Sequence, residues 1–183
     1  MNLDCKEPVS HDANSYASCL SYLEHTHAIH KDTVFTIGQF SILWCWFEQD
    51  LFDSNLTSSK LKNWAGNYFR ANESNEHLKH LCVSVCEKSK FYLGEVDDTL
   101  VRNRIYSTTN QGSSESRNTI NAFLEGNFST DYFIGCILYI GRIRNNLFHG
   151  LKGLHTLDEQ KEMFNSINEL LLYILQHQKI PLH

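Results

Sequence analysis

Apolar residues return at intervals of three and four along most of this chain, the spacing that aligns side chains on one face of an α-helix. Phe40, Leu43, Trp44, Phe47 and Leu51 form one stripe, Leu61, Trp64 and Tyr68 a second, and Leu78, Leu81, Cys82 and Val85 a third. The cleanest stripe runs through Met163, Phe164, Ile167, Leu170, Leu171, Ile174 and Leu175. Before it, Thr156-Leu157-Asp158-Glu159 has the form of a capping box, which predicts a last helix over about 157–178.

A segment of different character starts near Thr130. Tyr132, Phe133, Ile134, Cys136, Ile137, Leu138, Tyr139, Ile140 and Ile143 leave it apolar on most sides, as befits a helix at the centre of a bundle. The first thirty or so residues carry only a weak helical pattern (Ala13, Tyr16, Ala17, Leu20), read as a small extra helix or arm. The polar stretch STTNQGSSESRN, residues 107–118, has no periodicity and reads as a surface loop. The two prolines, Pro8 and Pro181, stand at the two ends, so nothing between them is forced to break a helix. These features predict an all-α fold. About five core helices form a single bundle over residues 33–183, with residues 1–32 as a short helical extension.

Composition narrows the range of partners. A chain of 183 residues with 42% hydrophobic content can bury one domain's core, and a formal charge of −5 leaves no whole-protein positive field to gather nucleic acid. Any such binding has to come from a local patch. The N-terminus lacks a basic start followed by an apolar stretch, and the longest near-apolar run, Tyr132 to Ile143, is far short of the roughly 20 residues that span a bilayer. A soluble, cytoplasmic protein with no membrane association is expected. The six cysteines (Cys5, Cys19, Cys45, Cys82, Cys86, Cys136) have no regular spacing and sit mostly among apolar residues, as reduced core thiols do. His25, His27 and His30, or His77, His80, Cys82 and Cys86, would be the metal candidates, but no CxxC pair or zinc spacing frames them. Neither a metal nor a cofactor is expected.

The central helix ends in RIRNNLFHG, residues 142–150. Arg144 and His149 are five apart, about 140° around a continuous helix, so they converge only if the helix stops between them. Gly150 and Gly153 suit that ending, because glycine readily takes the left-handed conformation that follows a helix. Arg144-Asn145-Asn146-Leu147-Phe148-His149 resembles the RxxxxH signature of the HEPN superfamily, small all-α domains that include many metal-independent endoribonucleases of toxin–antitoxin and phage-defence systems. The resemblance includes the polar Asn145 directly after the arginine, and the flanks, RNNLFHGLK, look most like the Apea-like, abortive-infection branch. An RxxxxH-like pair arises by chance about once in a chain of this composition. Arg70 with His77 and Arg142 with His149 also fit its looser spacings. What sets Arg144 apart is its place at the end of an apolar helix, before a glycine-containing turn.

Metal-free RNA cleavage requires activation of a ribose 2′-hydroxyl, stabilisation of a pentacoordinate phosphorane and protonation of a leaving oxygen. An imidazole exchanges protons near neutral pH, which suits His149 to acid or base work, and a guanidinium offers two parallel donors to phosphate oxygens, which suits Arg144 to transition-state charge. Asn145 would orient either group or hold the scissile phosphate. In the family two protomers bring their motifs face to face, so the resemblance implies a homodimer acting on an RNA substrate, with Arg142 and Lys152 as a basic rim. Glu48, on the edge of the Trp44 face, is a candidate partner for Arg144 behind the reacting groups. Family toxins controlled by a nucleotidyltransferase antitoxin carry tyrosine two residues after the histidine; here that residue is Leu151, so regulation would fall to another antitoxin or defence-system partner.

Two other uses fit the same residues. An arginine and a histidine at a helix C-terminus complement its dipole and satisfy its free carbonyls, a purely structural role. A catalytically silent HEPN-like dimer would bind RNA, nucleotide or protein through the same cleft.

Overall fold

The computed structural model describes residues 13–27, 29–95, 114–148 and 157–177, and among them it holds seven α-helices, one 3-10 turn and no strand. The helices are α1 (Ala13–His27), α2 (Lys31–Phe52), α3 (Ser58–Ala71), α4 (Glu76–Glu95), α5 (Ser114–Glu125), α6 (Thr130–Phe148) and α7 (Lys161–Gln176). The all-α reading of the sequence holds.

Each stripe seen in the sequence faces the core. Phe40, Trp44, Phe47 and Leu51 of α2, Leu61, Trp64 and Tyr68 of α3, and Leu78, Leu81, Cys82 and Val85 of α4 are buried, with Leu43 packed at the margin. Local chemistry sets the starts of two helices: Thr57 Oγ1 accepts the Lys60 N–H at 3.2 Å before α3, and Asn75 Oδ1 accepts the Leu78 N–H at 3.0 Å before α4. Asn75 also ties that helix start to α7, its amide donating to the Tyr173 hydroxyl at 2.8 Å.

Two layers share one core. In the first, α7 packs between α2 and α4; in the second, α6 packs between α3 and α5. An aromatic series joins them: Phe40 meets Phe164 at 5.2 Å, Phe47 meets Trp64 edge-on at 5.1 Å, and Tyr68 stacks between Trp64 and Phe133 at 5.2 and 5.8 Å. As the sequence predicts, α6 is central, with Tyr132, Phe133, the run from Cys136 to Ile140, and Ile143 all buried. Its close approach to α5 depends on Gly135. A Cβ there would fall on the Thr119 carbonyl oxygen and within 2.8 Å of Phe123 Cβ.

Three boundaries differ from expectation. The last helix opens as a 3-10 turn, Asp158–Gln160, and becomes α-helical only at Lys161. Both carboxylate oxygens of Asp158 accept the His30 backbone N–H, each at 3.1 Å, so this side chain ties the start of α2 to that of α7. Thr156 of the expected capping box lies outside the described residues. The polar stretch 107–118 is helical from Ser114 onward, where α5 begins; residues 107–113 lie outside the described residues. Finally, α2 starts at Lys31, two residues before the expected domain boundary, while α1 is the helix expected of the extension and holds no buried residue among its described side chains.

Candidate functional site

The geometry around Arg144 follows from how α2 meets α6. A Cβ on Gly141 would touch the Trp44 ring at 3.5 Å, so that ring bridges α2 and α6 at that level. From that contact each climbs one further turn in the same direction, four residues to Glu48 and three to Arg144, which brings the two side chains level. Arg144 Nη2 donates to Glu48 Oε2 at 3.5 Å, and Nη1 donates to Asn145 Oδ1 at 3.1 Å. The guanidinium is therefore turned toward a neighbouring helix, with its plane held from two sides.

Helix α2 stops where it must for this. Asp53 and Ser54 take left-handed conformations (φ 49° and 56°), and the Ser54 N–H returns to the Glu48 carbonyl, six residues back, at 3.1 Å, which closes the helix C-terminus. The main chain of Glu48 thus closes the cap while its carboxylate faces α6. The ion pair sits at an edge, the side chains of Arg144 and Glu48 remaining 33% and 21% exposed. Such a position is sheltered enough to orient a guanidinium and open enough for a phosphate to reach it.

The other expected residues divide. Asn145 is exposed beside Arg144, whereas Asn146, given no role on the sequence, is buried at the helix end. Arg142 is half-buried, about 200° around α6 from Arg144, and so belongs to a different side. His149 directly follows Phe148, the last residue of α6; it and Lys152, with Gly150, Leu151 and Gly153, lie outside the described residues. The rival pair does not form a joint site: Arg70 bonds to the Gly66 carbonyl and Asn67 of its own helix, and His77 lies 4.8 Å edge-on to Tyr173. Among the described residues no cluster of three or more His, Cys, Asp or Glu is arranged to hold a metal ion, and no helix is long and apolar enough to cross a membrane.

The described thiols are all free and differ in setting. Cys82, Cys86 and Cys136 are buried, whereas Cys19 and Cys45 are exposed, contrary to the expectation of core thiols. Burial, then a hydrogen bond with Cys82, pushes the Cys136 thiol well above its ordinary range, so it is a packing group with no nucleophilic character. No protein-family model, curated protein or solved structure matches this chain.

Proposed function

We propose that this chain is a metal-independent endoribonuclease of the HEPN type, a toxin or anti-phage effector whose chemistry lies in Arg144, Asn145 and His149. The observation that supports this most is the Arg144–Glu48 pair. The motif's arginine is held across two helices, at an open edge, a few residues before the motif's histidine. In the proposed reaction the ribose 2′-oxygen attacks phosphorus and the P–O5′ bond breaks, with His149 moving a proton from the 2′-hydroxyl or to the departing 5′-oxygen. Arg144 binds the non-bridging oxygens as their charge grows, and Asn145 positions the phosphate. Glu48 keeps the guanidinium in place without touching substrate.

Incubation of purified protein with RNA in excess EDTA tests this reading. The expected products are a 2′,3′-cyclic phosphate and a 5′-hydroxyl, with cleavage abolished in both Arg144→Ala and His149→Ala. Cleavage that vanishes with EDTA, or that survives in both variants, would overturn the assignment. A second reading draws on the same ion pair: Glu48 already balances the arginine's charge, as in a silent HEPN-like module. Saturable RNA binding without cleavage would favour that reading.

A further inference from the structure

In a chain whose formal charge is −5, helix α3 carries Lys60, Lys62 and Arg70 and no acidic residue. Each of the other six described helices contains at least one Asp or Glu. Because Leu61, Trp64 and Tyr68 turn to the core, Lys62, Asn63, Asn67 and Arg70 are left on the outer side of α3. There they form one wall of a hollow of about 600 Å³, with Asp131 and Ile134 of α6 opposite and Thr119 of α5 between. Two cations share this hollow with one carboxylate. The groove between α2, α4 and α7 has the reverse balance, Glu162 and Glu169 against Lys88. Arg70 is also held in place, Nε donating to the Gly66 carbonyl at 3.2 Å and Nη2 to Asn67 Oδ1, so its guanidinium lies along the helix instead of swinging in solvent.

The α6 wall leads from this hollow to the residues proposed to act on RNA. Asp131, Ile134, Leu138, Arg142 and Asn145 fall within about 40° of one line along α6, so Arg142, which lies on a different side from Arg144, belongs to the side of the hollow. Helix α3 runs antiparallel beside that line. A Cβ on Gly66 would lie 3.7 Å from Ile134, and one on Gly141 3.9 Å from Leu61. The start of α3 is therefore level with the end of α6, and Lys62 stands closer to the Arg144 edge than Arg70 does. From Ile134 to Asn145 the line is about 16 Å long, roughly the rise of four or five stacked nucleotides at about 3.4 Å each.

We infer that the strip between α3 and α6 is the track of a single-stranded RNA running from the Arg144 edge, with Arg142, Lys62 and Arg70 on its phosphates and the hollow receiving an unstacked base beside Asn63 and Asn67. The inference rests on the ribonuclease reading, which supplies the reacting phosphate at one end of the track. An acidic chain gathers a phosphate backbone only where cations cluster locally, and among the described helices α3 is the one without opposing carboxylates of its own. Asparagine amides offer donors and acceptors together, so they meet the edge of any base. An unpaired strand can turn a base into such a hollow, whereas a duplex keeps its bases stacked inside.

Fluorescence anisotropy with a labelled single-stranded RNA of about 16 nucleotides, the upper end of the site size of one small domain, tests the track. The full chain carries His149→Ala, which removes the proposed proton carrier and preserves the probe. Lys62→Gln with Arg70→Gln should weaken binding at least about tenfold and reduce the slope of log affinity against log salt by about 1.4, at about 0.7 for each lost phosphate contact. Lys88→Gln with Lys90→Gln, the same loss of charge at exposed positions of α4, should leave that slope unchanged. Lys62→Arg with Arg70→Lys keeps both charges and should keep the slope, which separates lost charge from a disturbed helix. With His149 restored, Lys62→Gln with Arg70→Gln should raise KM for the same RNA and keep kcat, while a dinucleotide too short to reach the hollow is cleaved as by wild type. No RNA binding, binding indifferent to the α3 pair, an equal loss from the α4 pair, or a duplex held as tightly as the single strand would overturn the track, whatever the cleavage assays show. Binding that depends on the α3 pair in a protein that cleaves no RNA would uphold the track and refute the ribonuclease reading.

Discussion

Arg144→Ala and Glu48→Gln, compared in one experiment, separate a catalytic arginine from a structural one. The ion pair is long, 3.5 Å, and its side chains are 33% and 21% exposed, so solvent screens it. Exposed pairs contribute about 0.2–1 kcal/mol, and Glu48→Gln should cost no more than the top of that range. At this chain length 1 kcal/mol moves Tm by about 2–4 °C. Arg144→Ala also loses the packing of its aliphatic stem and should cost somewhat more. A structural role therefore allows a shift of a few degrees and activity that follows the folded fraction. A transition-state role asks for at least a hundredfold loss of kcat/KM in Arg144→Ala, about 2.7 kcal/mol, beyond what the pair supplies to folding. Arg144→Lys should lose nearly as much, because a single ammonium does not reproduce the two-pronged hold on phosphate. Glu48→Gln keeps the guanidinium but loosens it, and should fall between wild type and Arg144→Ala. Initial rates on a short RNA in excess EDTA, with melts followed by circular dichroism, give both quantities. Arg144→Ala within about threefold of wild type, far short of the loss a transition-state donor causes, would refute the reasoning.

Two glycines should respond to alanine with opposite signs. Gly135→Ala drives a methyl group into α5 and should lower Tm, overpacking of about 1–3 kcal/mol exceeding the better helix propensity, whereas Gly38→Ala meets open space and should stabilise the protomer by about 1 kcal/mol. Shifts of the same sign in thermal melts would contradict the packing at α5 and α6. Alkaline pH should destabilise the fold: burial holds the Cys136 thiol and the Tyr68 and Tyr132 phenols protonated past their ordinary ranges, so the unfolded chain binds fewer protons once pH passes those ranges. Stability is then full below about pH 8.5 and falls as pH rises, by up to about 1.4 kcal/mol per pH unit for each group. Cys136→Ala should flatten the first part of the decline, and a Tm unchanged from about pH 8 to 10.5 would refute it.

The helices were legible because they bury stripes at a helical period and no proline interrupts them. The central place of α6 was legible too, since Tyr132 to Ile143 leaves few polar positions to face water. Periodicity could not reach the outer face of α2. Phe35, Ile42 and Trp46 are as apolar as Phe40, Trp44 and Phe47, and only the packing of α7 and α3 shows which set is enclosed. The end of α2 was equally hidden, because Asp53 and Ser54 take the left-handed turn where glycine would have announced it. That turn decides where Glu48 falls. The sequence offered Glu48, on the edge of the Trp44 face, as a candidate partner for Arg144, but their meeting depends on the level at which α2 and α6 touch, which Trp44 and Gly141 set. Asn146 shows the same limit: adjacent asparagines read alike, and the helix sends one outward and the other inward.

The ion pair is also a poor choice for stability alone. It borders Trp44 and Ile143, both essentially buried, so apolar side chains at 48 and 144 would extend the core. Burial of a leucine-sized side chain contributes about 1.5–3 kcal/mol, more than a screened ion pair returns after its own desolvation. Capping explains it no better. Arg144 stands four residues before the last residue of α6, and its Nη2 is committed sideways to α2, away from the carbonyls that a capping cation would serve. Nor would Asn145 be needed on Nη1 for a simple charge pair. A guanidinium held by Glu48 on one side and Asn145 on the other is worth its cost in stability if its orientation matters, and an oriented, partly exposed guanidinium is what a phosphorane requires. On this reasoning leucine at both positions, Glu48→Leu with Arg144→Leu, should raise Tm while abolishing RNA cleavage. A variant that gained stability and kept full activity would leave Arg144 without a reason to be charged.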